Sequence, residues 1–302
     1  MKENALKKLF KNFFPFGKDH KKENEIFFQG DIDFIHKIIE DNKLNIEKNI
    51  FEKWSKKKYD EENHYFKWSK STPRRLVGLY LNNLNIRKLE IPKDNWIISL
   101  HCSNNKLVEL DLSGFTHLWD LQCSNNKIEK LDISQCENLH KIDISKNEIA
   151  TLNLSSNTHL SNVICAQNKI RDLHFPRENK IEYLDCSFNF LDKKNMKLNK
   201  YEALRFFYCM HNNLDELDLK CFPNLYYLDC SFNEIKELNL YYCAELIILD
   251  CTNNLLHTLD ISPCRNLENL LCTENPLEEV STAPSQKLLF AETGKAELVE
   301  KN

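Results

Sequence analysis

The sequence predicts a solenoid: a stack of short coils, each contributing one strand. Two observations carry this. Asn recurs at positions 105, 126, 147, 168 and 189, each 21 residues after the last, and after one step of 23 it resumes at 212, 233, 254 and 275. Around these asparagines runs the frame L-x-x-L-x-C-x-x-N-x-L/I, followed by x-x-L-x-L/I. Residues 118–128 read LWDLQCSNNKI and residues 225–235 read LYYLDCSFNEI. A period of this length marks stacked structural units. Alternating apolar residues such as Leu121 and Cys123 fall on one side of a strand. No single unit can bury that side alone, so each needs its neighbours. Ten strands at about 4.8 Å make a sheet about 45 Å long.

This pattern resembles the leucine-rich repeat family, in its short 21-residue bacterial class, over about two-thirds of the chain. The resemblance implies a right-handed solenoid with a parallel β-sheet on its concave face. A unit this short has no room for a full helix on the convex side. That side is predicted to be extended or turn-like, with Asp111, Asp132, Asp218 and Asp260 starting turns. The Asn column is expected to be structural, its amide satisfying backbone groups that each coil turns inward.

The elements follow in order. Residues 1–22 carry 7 Lys against 2 acidic residues, with Leu6, Leu9, Phe10, Phe13 and Phe14 at helical spacing and Lys7, Lys8 and Lys11 beside them. Such a segment suits peripheral contact with an anionic membrane, docking against the cap, or terminal disorder. It has no uninterrupted apolar run or small-residue cleavage site of a secretory signal. Residues 23–75 are expected to form a helical N-terminal cap. Ile32, Ile35, Ile38 and Ile39 keep helical spacing there, and Trp-Ser pairs at Trp54 and Trp68 lead into the first strand at Leu76. Residues 76–282 hold ten repeats, the first degenerate, with Leu84 where Asn belongs. One repeat is lengthened by Asp192–Asn195. Residues 283–302 are read as a C-terminal cap and polar tail, with Leu288, Leu289 and Phe290 closing the last unit.

Composition narrows the function classes. With 42% hydrophobic and 28% charged residues, the chain can bury a core. It has no run of about 18 apolar residues, so no transmembrane helix is expected. Net charge is −4, but residues 1–75 carry 18 Lys and Arg against 13 Asp and Glu, which leaves the repeats strongly acidic. Phosphate binding wants a basic working surface, so nucleic acid is excluded as a partner.

The 12 cysteines pose a choice among disulfides, zinc and packing. Cys102, Cys123, Cys165, Cys186, Cys209, Cys230, Cys251 and Cys272 share one inward position, which Leu81 and Ile144 fill in other units. The position therefore takes a small hydrophobe. In-register side chains run parallel, which holds neighbouring β-carbons too far apart for a good disulfide. No C-x-x-C pair supplies a zinc pattern. Cys136, Cys243 and Cys264 recur three residues past the final apolar position, and Cys221 sits one place early; these also read as packing residues. Cys209 and His211 lie close but lack a third ligand. Reduced thiols, no metal and no cofactor are expected, and the ladder points to the cytoplasm.

The candidate site lies on the outward positions of the concave strands. Early units present a mixed polar surface: Trp119, Asp120, Gln122, His140, Lys141, Asp143, Asn162 and Gln167. The fifth presents Tyr183, Asp185 and Phe188, and the sixth Phe206, Tyr208 and His211. The seventh presents Tyr226, Tyr227, Asp229 and Phe232, and the eighth Ile247, Ile248 and Asp250. Exposed aromatic runs of this size mark interaction sites, and rings beside carboxylates have the composition of a protein-binding hot spot. The competing reading is ring stacking that serves only the sheet. The expected function is a non-catalytic protein–protein interaction module whose partner brings a basic residue to the carboxylates. Alternatives are a secreted bacterial effector binding a host protein in the host cytosol, and a carbohydrate-binding repeat protein. No nucleophile elbow, P-loop, H-E-x-x-H or paired-carboxylate motif supports an enzyme. The residues after the last unit are also too few for the ubiquitin-ligase domain that some bacterial members carry.

Overall fold

A computed structural model of the chain describes residues 29–44, 66–69, 75–178, 180–196 and 202–301. The basic segment 1–22 and Trp54 lie outside the described residues. The alternation in each frame becomes a strand of about three residues whose central side chain is buried and whose neighbours face outward. These strands line up as one wall. It begins with β1 (Phe66–Trp68), β2 (Leu76–Tyr80), β3 (Ser99–His101), β4 (Asp120–Gln122) and β5 (Lys141–Asp143). On the far wall lie β6 (Thr151–Asn153) and β8 (Asp172–His174), alternating with β7 (Asn162–Ile164) and β9 (Tyr183–Asp185) of the near wall. The near wall continues through β10 (Phe206–Tyr208), β11 (Tyr227–Asp229) and β12 (Ile248–Asp250) to β14 (Asn269–Leu271) and β16 (Phe290–Glu292). The far wall adds β13 (Leu259–Asp260), β15 (Glu279–Thr282) and β17 (Glu297–Glu300).

The near wall is a 12-stranded sheet in the order β1-β2-β3-β4-β5-β7-β9-β10-β11-β12-β14-β16. Every pair from β2 onward is parallel, and β1 alone runs antiparallel, with Lys67 opposite Gly78. A β-carbon on Gly78 would lie 2.8 Å from Lys67 Cβ, so glycine is what lets β1 cross there. The far wall is extended and turn-like, as a unit of this length requires. Its turns start where the sequence places them. Asp111 Oδ1 accepts the Ser113 N–H at 2.9 Å, and Asp132, Asp218 and Asp260 do the same for Ser134, Lys220 and Ser262.

Between the walls the core is a set of columns. All eight ladder thiols are buried and unpaired. Cys136, Cys243 and Cys264 are buried in a second column, while Cys221 is partly exposed. The Asn column closes each coil onto the one before. Asn126 Nδ2 donates to the carbonyls of Cys102 at 3.0 Å and Cys123 at 3.1 Å, and its Oδ1 accepts the Leu107 N–H at 3.0 Å. One amide thus ties backbone groups of successive coils together, and each carbonyl is shared with a neighbouring Asn of the column, Cys102 with Asn105 and Cys123 with Asn147.

The ends differ from each other. The cap helix α1 (Gln29–Asp41) buries Phe34, Ile35 and Ile38 against the first coils, with Ile39 partly buried. Phe34 belongs to this face although the isoleucine pattern omits it. Asp31, buried, fastens the helix: its Oδ2 accepts the Leu76 N–H at 2.8 Å and pairs with Arg75 Nε at 3.1 Å. At the other end Leu288–Phe290 does not close the last unit. It begins a further coil, in which Phe290 stands in register with outward Asn269. Leu289 is consequently 76% exposed, and only Leu288 packs against the core.

The lengthened repeat does not bend the near wall. Asp192 Oδ1 accepts the N–H groups of Lys194 and Asn195, forming a turn on the far side. Met196 then bridges Leu173 in parallel register and is buried.

Candidate functional site

Register decides which outward residues become neighbours. Tyr183, Phe206, Tyr227 and Ile248 stand side by side in one row across β9–β12. Asp185, Tyr208, Asp229 and Asp250 form the next. All eleven residues singled out from the sequence fall on this one stretch of wall. Tyr208 reaches across to the rings of Tyr227 at 4.7 Å and Tyr183 at 5.4 Å. Phe206 contacts Tyr183 at 6.2 Å and Tyr226 at 6.0 Å. The rings therefore do stack, and they remain accessible while doing so: Tyr183, Phe206, Tyr208 and Tyr227 are half-buried and Tyr226 is exposed.

The carboxylate row has a structural duty that the sequence reading did not assign. Asp185, Asp229 and Asp250 each direct Oδ1 to the N–H two residues on, at Ser187, Ser231 and Thr252, with distances of 2.9–3.0 Å. The D-x-S/T spacing in each unit is the signal for that turn. Asp229 goes furthest into the surface, at 7% exposure, and also accepts the Ser231 hydroxyl at 2.6 Å. Burial raises its carboxyl above the ordinary range, the Ser231 hydrogen bonds oppose this, and Asp250 and Asp185 add to the rise. Burial beside these acids pushes the phenols of Tyr183 and Tyr227 up to about 12. Among the described residues, no Lys or Arg forms a salt bridge with these three carboxylates.

A third row, at the rim where the chain leaves each strand, has an unusual backbone. From Asn83 to Glu274 the residue before the Asn-column position adopts positive φ in every coil, a conformation suited to Asn104, Asn125 and Asn253. In the aromatic coils it is held instead by Phe188 at φ 54°, His211 at 51° and Phe232 at 54°. The His211 ring lies between the two Phe rings, at 4.4 and 4.2 Å and nearly parallel to both. Phe188 and Phe232 stay 41% and 40% exposed.

The early coils hold features of their own. Trp96, Ile98 and Trp119 are exposed, with His117 against Trp96 at 4.9 Å and His140 against Trp119 at 5.2 Å. His101 Nε2 pairs with Asp120 Oδ2 at 2.9 Å. The repeat frame pointed to Trp119 alone, because Trp96 precedes the first apolar position of its unit.

The ladder thiols from Cys123 to Cys272 are held protonated by their surroundings. Hydrogen bonding to Cys102 and burial raise the Cys123 thiol, and burial raises Cys186, Cys209 and Cys251 well above the usual range. Cys272 is pushed up to about 11. No group of three or more His, Cys, Asp or Glu among the described residues is arranged to hold a metal ion.

No family model and no curated protein matches this chain. Solved structures do. The functional domain of InlJ from Listeria monocytogenes, which includes a cysteine ladder, is 26% identical with a TM-score of 0.53, over 74% of this chain and 59% of that one. The leucine-rich repeat protein LIC12759 of Leptospira interrogans is 22% identical with a TM-score of 0.56, over 67% and 62%. The PEPR1–AtPEP1 structure matches at 18% identity and TM-score 0.53, over 66% of this chain and 32% of that one. This chain thus spans about three-fifths of the length of the two bacterial structures.

Proposed function

We propose that this chain, a leucine-rich repeat solenoid, is a non-catalytic docking module that receives a protein partner on the wall formed by β9–β12. The observation that carries the reading is the pair of in-register rows, aromatic and acidic, on a rigid sheet. Strands fix these side chains before any partner arrives, so little ordering entropy is lost on association. The partner presents a Lys or Arg to Asp185, Asp229 and Asp250, which form no salt bridge with a Lys or Arg among the described residues. We further place the protein in a reducing compartment, the bacterial cytoplasm or a host cytosol, because a close-packed column of eight thiols is best kept as free thiols.

Affinity capture with the wild type and with Tyr208→Ala/Tyr227→Ala, followed by mass spectrometry, tests the docking. The substituted chain should lose a specific partner while its melting temperature moves little. Equal capture by both baits would overturn the assignment of this wall.

A further inference from the structure

We infer that the wall also has an internal ligand: the basic segment 1–22 of the same molecule docks on β9–β12. This rests on the docking reading above and adds a regulator to it. The wall specifies its occupant closely. It offers an apolar row from Tyr183 to Ile248 that crosses three coil steps, about 14 Å at about 4.8 Å each. Beside that row, on one side, lie three carboxylates with no cation from the described residues. A matching ligand is an apolar stripe of that length with cations on one flank.

The sequence contains one such stripe. Leu6, Leu9, Phe10, Phe13 and Phe14 follow the i, i+3, i+4, i+7, i+8 pattern. As a helix these nine residues would cover about 13 Å at about 1.5 Å each. At about 100° per residue, Lys7 and Lys11 fall about 100° and 140° from Leu6, on one side of the stripe. Lys8, at about 200°, falls opposite the stripe, so Lys7 and Lys11 supply the flank that faces the carboxylates. The charge balance points the same way, since the segment carries 7 Lys against 2 acids while the repeats are acidic. The reach is adequate: the 14 residues between Phe14 and Gln29 span up to about 46 Å extended. The path from β2 to β10 is six coil steps, about 29 Å.

The test uses the full chain with its own segment disabled by Lys7→Glu, Lys8→Glu and Lys11→Glu. A fluorescent peptide of residues 1–22 is titrated into it. Saturable binding is expected, weakened at least tenfold by Asp229→Asn/Asp250→Asn or by Tyr208→Ala, and lost when the peptide carries the same three Glu substitutions. Wild-type chain, its wall already occupied, should bind the peptide at least tenfold more weakly. Absence of saturable binding, or binding indifferent to the wall substitutions, would overturn the inference. So would flotation of the wild-type chain with anionic phosphatidylglycerol vesicles that the wall substitutions leave unchanged, since the segment would then answer to lipid. If the peptide fails but Tyr208→Ala/Tyr227→Ala still abolishes partner capture, the internal ligand falls and the docking wall stands.

Discussion

Asn212 Nδ2 donates to the carbonyl of Cys186, 26 residues back, at 3.1 Å. Its counterparts reach back 24 residues, as Asn189 does to Cys165 and Asn233 to Cys209. The two extra residues of the lengthened repeat are therefore absorbed entirely on the far wall. Because the Asn contact is kept, Tyr183 and Phe206 remain in register across the insertion, and the aromatic row continues unbroken into β11.

Asn212→Ala should accordingly be among the more damaging single substitutions. It removes the partner of the Leu191 N–H and one of two donors to each of three carbonyls: Cys186, which keeps Asn189 Nδ2, Cys209, which keeps Asn233 Nδ2, and Met210, which keeps the Phe188 N–H. The Leu191 N–H, left without a partner, costs roughly 1–3 kcal/mol, and each lost bond to a carbonyl that keeps its other donor adds less. A loss of about 2 kcal/mol is expected, read as a lower urea midpoint. A change below about 1 kcal/mol would mean the ladder is decorative.

Asp229→Asn should stabilise the chain at neutral pH. Burial raises the Asp229 carboxyl, so the folded state holds that proton more tightly than the unfolded chain does. Its contribution is favourable at low pH and is lost as pH rises through the folded-state pKa. Asn keeps an oxygen for the Ser231 N–H and hydroxyl but brings no charge. The urea midpoint of the variant should exceed that of wild type at pH 7, and the gap should shrink as pH falls below the ordinary carboxylate range. Lower stability of the variant at pH 7 would show that the charge supports the fold, and that its place on the wall has no functional cost.

Much of this was legible in the primary structure, and the reasons are physical. The Asn and thiol columns repeat at one period, so a single frame identifies them, and strand alternation then assigns Tyr183, Phe206 and Tyr227 to the outside. The turn duty of Asp185, Asp229 and Asp250 was equally readable in D-x-S/T but was masked by their apparent fitness for a partner. The contact of Asp31 with Leu76 spans 45 residues and leaves no local pattern. The left-handed rim was hidden where it matters most. Asn104 and Asn125 advertise such a conformation, whereas Phe188 and Phe232 argue against it.

That rim gives the next prediction. A left-handed backbone costs a residue other than Gly, Asn or Asp about 1 kcal/mol. The stacked pairs of Phe188 and Phe232 with His211 return about 0.5–1.5 kcal/mol each. Phe188→Asn/Phe232→Asn should thus be close to neutral, within about 1 kcal/mol in total, because strain relief offsets lost stacking. Partner capture should fall at least tenfold. Thermal unfolding beside capture separates the two roles: a large loss of stability would make the stack a structural device, and full capture by the variant would remove the rim from the binding surface.

The thiol ladder yields a prediction about reactivity. Thiol reagents attack the thiolate, so a cysteine that is buried and held protonated is inert until the structure opens. Eleven of the twelve cysteines are buried, and Cys221 alone is partly exposed. Burial pushes Cys136, Cys243 and Cys264 up to about 12, so the second column is protected as the first is. Native protein treated with a chromogenic disulfide reagent at pH 8 should release one equivalent quickly. The other eleven should follow only as the coils unfold, at a rate that rises with urea. Cys221→Ser should abolish the fast phase and leave the slow one unchanged. Rapid release of several equivalents from folded protein would show that the columns are not closed, and the packing role assigned to these cysteines would fail with it.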